Sequence, residues 1–233
     1  MNQKAIELLE FPLVRAQLAA RCGFSVSKAL AEELEPSADG VLVARRISLT
    51  SEAVRVLNVS PNLTTGGARD VRGPVERARR DGILDPQELL AIQATISSGR
   101  VVRGTVGRLE SLAPNLADLA HLIVDCPTLD REIGRCLSET GDVLDSASPE
   151  LGRIRSDIRT AHQKLLDRLH DIVHGGTYRA ALQEPLITMR EGRYVVPVKS
   201  EARRQLRGLI HDQSSSGQTV YVEPMVTVEL NNR

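Results

Sequence analysis

Between Ser148 and His174 the apolar residues Leu151, Ile154, Ile158, Ala161, Leu165, Leu169 and Ile172 recur at intervals of 3, 4, 3, 4, 4 and 3. That rhythm describes a narrow helical seam, not the broad apolar face of a helix lying on a globular core. Ser148-Pro149-Glu150 offers an N-cap and a proline at the first helical position, and Gly175-Gly176 offers a stop. At 1.5 Å per residue the helix would extend about 40 Å. A coiled-coil-like rod cannot bury its own seam, so whatever this chain folds into must bring a second helix alongside.

After the two glycines the apolar period changes from helical to two. The stretch LITMREGRYVVPVKSE reads as two strands joined at Glu191-Gly192, and GLIHD and QTVYVEP read as two more with SSSG between them. Pro224 then opens a new helical pattern, MVTVELNNR. Upstream, Asp85-Pro86-Gln87-Glu88 is a capping-box arrangement ahead of a long helix loosened at Gly99, Gly104 and Gly107. Shorter helices are expected near Pro12–Cys22, Ser27–Leu34, Val41–Asn58, Val71–Arg80, Asn115–Val124 and Thr128–Leu137. Aromatics make up only 2% of the chain and tryptophan is absent, so the core must be built from Leu, Val, Ile and Ala, which suits packed helices. The expected fold class is mainly α with a small antiparallel β subdomain.

Charge is balanced over the whole chain but not along it. Residues 1–151 carry 17 Lys and Arg against 21 Asp and Glu, whereas residues 152–233 carry 13 against 9. A polyanionic partner would therefore be met by the C-terminal third. The three cysteines, Cys22, Cys126 and Cys136, form no C-x-x-C pair, which points to a reduced, cytoplasmic setting. No stretch approaches the roughly 18 apolar residues of a membrane span, so no membrane partner is expected.

The segment HDQSSSGQTVYVEP, His211 to Pro224, poses the sharpest chemical question. A serine nucleophile needs a base and an orienting acid within reach, yet His211 and Asp212 are neighbours on a strand and would point to opposite faces. No G-x-S-x-G elbow and no G-x-x-x-x-G-K-[ST] loop occur, so no catalytic residue is expected here. What remains is a turn whose serines satisfy backbone groups around a positive φ at Gly217, or a loop whose hydroxyls touch a ligand's phosphates. His170 and His174, at helical spacing i and i+4, lack a third ligand and read as polar decoration of a helix C-terminus, so no metal site is expected. Around the expected sheet lie Arg190, Arg193, Lys199, Arg203, Arg204 and Arg207. They read either as phosphate contacts or as charges that keep a sheet edge solvated.

Three stretches carry a resemblance: DSASPELGRIRSDIR (Asp145–Arg159), GILDPQELLAI (Gly82–Ile92) and, above all, LQEPLITMREGRYVVPVKSEARRQLRGLIHDQSSSGQTVYVEPMVTVELNN (Leu182–Asn232). Together they resemble the N-terminal half of the second bacterial MutS subfamily. The resemblance implies a helical core over 1–147, a lever helix and its end over 148–180, a small β clamp over 181–223 and the start of a returning lever helix, cut short, over 224–233. His211, Asp212, Ser214, Ser216 and Gly217 match the subfamily's H-D-x-S-x-S-G signature and are implied to form a clamp loop. Members are homodimeric ATPases that engage nucleic acid, associated with suppression of homologous recombination and with splitting of collided ribosomes. The resemblance thus implies DNA or the ribosome and its rRNA as partner. It places the Walker ATPase domain, with its ATP and Mg, and the small MutS-related nuclease domain beyond Arg233, so no cofactor and no enzymatic activity are expected of these residues themselves. The competing expectation is a stand-alone helical adaptor or dimerisation module that binds proteins through the exposed seam.

Overall fold

The computed structural model describes residues 3–232. The chain divides after Ala147 into two compact units. The first is helical: α1 (Gln3–Leu8), α2 (Phe11–Ala20), α3 (Ser25–Glu32), α4 (Gly40–Val59), α5 (Arg72–Ala78), α6 (Pro86–Arg108), α7 (Pro114–His121) and α8 (Pro127–Cys136). Helix α2 packs on α3, α4 on α7, and α6 on both α7 and α8. The capping box forms as written in the sequence: Asp85 accepts from the Glu88 amide at 2.9 Å, and Glu88 accepts from the Asp85 amide at 3.1 Å. The long helix expected after this box forms as α6, which runs through Gly99, Gly104 and Gly107 as one helix of 23 residues. Its contacts with α7 and α8 outweigh the intrinsic cost of glycine in a helix interior. Helix α1 is an addition, since its six residues are too few to carry a readable period.

A buried carboxylate joins two of these helices. Glu52 of α4 accepts from the Asn115 side chain at 2.6 Å and from the Leu116 amide at 2.9 Å, so it fills the unsatisfied first turn of α7. Burial pushes the Glu52 carboxyl up, but those hydrogen bonds and the Arg55 charge outweigh it and hold it below the usual carboxylate value.

The second unit begins with α9 (Pro149–His174), capped by Ser148, whose hydroxyl accepts from the Leu151 amide at 3.1 Å. Four strands follow, β1 (Thr188–Arg190), β2 (Arg193–Lys199), β3 (Gly208–Gln213) and β4 (Thr219–Pro224), and then α10 (Met225–Asn231). The sheet is antiparallel with order β1-β2-β4-β3. Glu191 and Gly192 turn the first hairpin with φ of 49° and 76°, the two positive values that a two-residue I′ turn requires. Val196 and Val198 stand opposite Val222 and Val220 and pack with Leu165, Leu169, Ile172 and Val173 of α9 into one core.

Helix α10 packs against α9, so the seam meets a partner helix within this unit. The cover is partial. Leu165, Leu169 and Ile172 are buried, whereas Ile154 and Ile158 are 41% and 57% exposed. The mainly α architecture with one small antiparallel sheet agrees with the sequence reading, and among the described residues no helix is long and apolar enough to cross a membrane.

Candidate nucleic-acid interface

The six basic residues singled out around the sheet separate into two groups. Arg190 lies over the Tyr221 ring at 4.0 Å and pairs with Asp212 at 2.9 Å. Arg193 Nη1 sits 3.6 Å from Glu223, and Lys199 donates to the Ala180 carbonyl at 3.1 Å. These three cations have partners inside the fold. Arg203, Arg204 and Arg207 are exposed, and among the described residues their side chains make no hydrogen bond or ion pair.

Local structure explains why that second group points outward. A short 3-10 turn, Ser200–Ala202, ends β2, and Ala202 and Leu206 are buried in the core. With those two anchors in place, Arg203, Arg204 and Arg207 are displayed to solvent from a segment pinned at both ends. The Arg207 carbonyl also accepts from the Met225 amide at 2.9 Å, tying the segment to the first residue of α10. Three unpaired guanidinium groups on about five residues of anchored chain can meet successive phosphates of a polyanion.

The serine loop is a turn. Gly217, with φ of 71°, donates its amide to the Ser214 carbonyl at 2.8 Å, and the Ser214 amide donates to the Thr219 carbonyl at 2.9 Å. The Ser214 hydroxyl accepts from the Thr219 amide at 3.1 Å and lies 3.3 Å from the Ser216 hydroxyl. Its Gly217 carbonyl is held from two sides, by the Ser200 hydroxyl at 2.5 Å and the Gln213 side chain at 3.1 Å. Ser200 also donates its amide to the Gln218 carbonyl at 3.0 Å. The loop therefore buttresses the very turn from which the free arginines depart, and only Ser215 and Ser216 among its serines are exposed.

His211 corrects one expectation. It does not alternate with Asp212 on a regular strand, because the register of β3 against β4 slips between Ile210 and Asp212, leaving His211 as the extra residue of a bulge. From there its Nε2 lies 2.6 Å from Glu223, while Asp212 pairs with Arg190. Neither reaches a serine, so the segment holds no nucleophile, base and acid relay. The rings of His170 and His174 lie 4.3 Å apart on α9, and among the described residues no group of three or more His, Cys, Asp or Glu is gathered that could hold a metal.

Sequence reading passed over Ser200, Gly208, Glu223 and Asn231. Glu223 was within reach: pairing β3 with β4 in an ordinary register sets Leu209 opposite Glu223 and brings His211 to the diagonal position, a neighbour that cross-strand bookkeeping anticipates. Asn231 carried no such signal, since it arrives from α10.

Along all of its length the chain is similar to curated proteins named Endonuclease MutS2. It is 39% identical over 232 residues to that of Pelotomaculum thermopropionicum, 40% over 236 residues to that of Thermomicrobium roseum and 39% over 232 residues to that of Symbiobacterium thermophilum. All of this chain is covered in each case, and it spans about 30% of the length of these relatives. No family model matches. The resemblance to the second MutS subfamily is borne out by these relatives.

Proposed function

We propose, from the premise that this is a MutS-like chain of the second subfamily, that it is the gripping portion of a larger ATPase. In this reading the β subdomain is a clamp that holds DNA or ribosomal RNA by its phosphates, α9 and α10 form the lever, and the whole protein acts as a homodimer in the cytoplasm. The whole protein's work is suppression of homologous recombination, splitting of collided ribosomes, or both. ATP and Mg would be held outside these residues, which offer no phosphate-binding loop, so no step of nucleotide chemistry is routed through them.

The observation that carries the reading is the trio Arg203, Arg204 and Arg207, exposed and unpaired, the first two between the buried anchors Ala202 and Leu206 and the third directly after Leu206. Its test is charge reversal of the three together, with binding to duplex DNA and duplex RNA followed across salt concentrations. Each arginine that touches a phosphate should lower the slope of log affinity against log salt by roughly one, and affinity should drop for all sequences alike. An unchanged salt slope removes the clamp from the contact surface. The second reading, a helical adaptor, draws on the exposed Ile154 and Ile158 of the seam. It expects salt-insensitive association with a protein and no affinity for either duplex.

A further inference from the structure

Glu223 is 1% exposed, yet it is reached from three other elements. His211 of β3 lies 2.6 Å from its Oε2, Asn231 of α10 donates to its Oε1 at 2.8 Å, and Arg193 Nη1 of β2 lies 3.6 Å from Oε1. A carboxylate taken out of water is tolerated only when its charge is compensated and its lone pairs are filled. Here the compensation comes from residues 8, 12 and 30 positions away. Arg193 Nη1 is itself buried without a hydrogen bond, so its compensation is the nearby negative charge of Glu223.

The arrangement fastens two elements, β3 and α10, to one group. His211 and Asn231 take different oxygens of the same carboxylate. The bulge in β3 presents the imidazole, and the last turn of α10 presents the amide. The other end of β3 is fastened too, by the bond from the Met225 amide to the Arg207 carbonyl. Strand β3 is thereby tied to α10 directly at Arg207, just before its first residue, and through Glu223 at the His211 bulge, and the strand continues directly from the segment that displays Arg203, Arg204 and Arg207.

We propose that Glu223 is a coupling node, a positioning residue through which α10 and the edge running from Arg203 to Gln213 move as one piece. The coupling itself stands on the geometry of the buried network. Its use, which is to convert a change in the pitch of α10 into a change in where the arginines lie, rests on the reading of those arginines as phosphate contacts.

The test cuts one arm of the network at a time in the whole chain, with Asn231→Ala on α10 and His211→Ala on β3, and follows amide hydrogen exchange. Asn231→Ala should accelerate exchange in β3 by about threefold or more, and His211→Ala should do the same in α10, with the amides of β2 at Val196 and Val198 unchanged as the control for global folding. In a Glu223→Gln background both elements should already be loosened, and adding Asn231→Ala should bring no further acceleration in β3. Acceleration confined to the element that carries the substitution overturns the node, and so does independent addition of the two cuts. A failure of the gripping reading would register elsewhere, as absence of binding by the unaltered chain to an RNA duplex of about 30 base pairs, and would leave the exchange result standing.

Discussion

At Gly208 the backbone of β3 enters the sheet so close to β4 that an added Cβ would collide with the carbonyl oxygen of Glu223 and come 2.6 Å from Val222 Cγ1. Neither neighbour can give way, because one is backbone and the other is a buried core side chain. Gly208→Ala should therefore cost about 1–3 kcal/mol of stability through overpacking, read by chemical denaturation. A loss within a few tenths of that of a surface substitution would mean that β3 can slide outward freely. The same residue illustrates what single-residue reading can and cannot supply. Gly217 was legible, because serines flanking a glycine before an alternating strand describe a turn with positive φ. Gly208 was not, because its need arises from the approach of another strand. The six basic residues were likewise legible as a cluster, but only cross-strand partners such as Tyr221, Asp212 and Glu223 separate those with internal roles from those left facing solvent.

Among the elements, α9 has two regimes along one seam. Its C-terminal half packs under the sheet, with Leu169 fully buried, while its N-terminal half leaves Ile154 and Ile158 open. Truncation at the two ends should therefore differ. Leu169→Ala should cost about 2–5 kcal/mol by opening a cavity in the core, whereas Ile158→Ala should cost well under half as much in this chain. Equal losses in a denaturation series would mean that the open half is covered in solution. Helices and strands with local signals were readable at this scale: the capping box at Asp85, the caps of α9, the I′ turn at Glu191-Gly192 and the change of period after Gly176 each state their structure within a few residues. The bulge at His211 was not readable, because it is set by what packs alongside.

For the molecule as a whole, charge and pH separate the two units. Glu52, Asp70 and Glu132, carboxylates held below their ordinary values, lie before the division at Ala147. Asp70 is drawn from 3.8 down to about 2 by hydrogen bonds from the Arg72 side chain and amide, and Glu132 is lowered by its hydrogen bond to Arg135 and by that charge. A carboxylate whose folded value is depressed stabilises the fold fully above its unfolded value, and that stabilisation is lost as pH falls through the folded one. The N-terminal unit should accordingly weaken as pH falls below about 4.5, with the Asp70 contribution not fully gone until about pH 2. Salt discriminates among the sources. Asp70 and Glu132 sit in exposed ion pairs that high ionic strength screens, whereas Glu52 acts through hydrogen bonds at the buried start of α7. In high salt, Glu52→Gln should therefore lower stability at neutral pH and flatten most of the remaining acid slope. Hydrogen exchange of the Ala117–His121 amides at a series of pH values provides the measurement. If the wild type and Glu52→Gln give parallel profiles, the acid response belongs to the surface pairs, and the α4–α7 joint is held by packing alone.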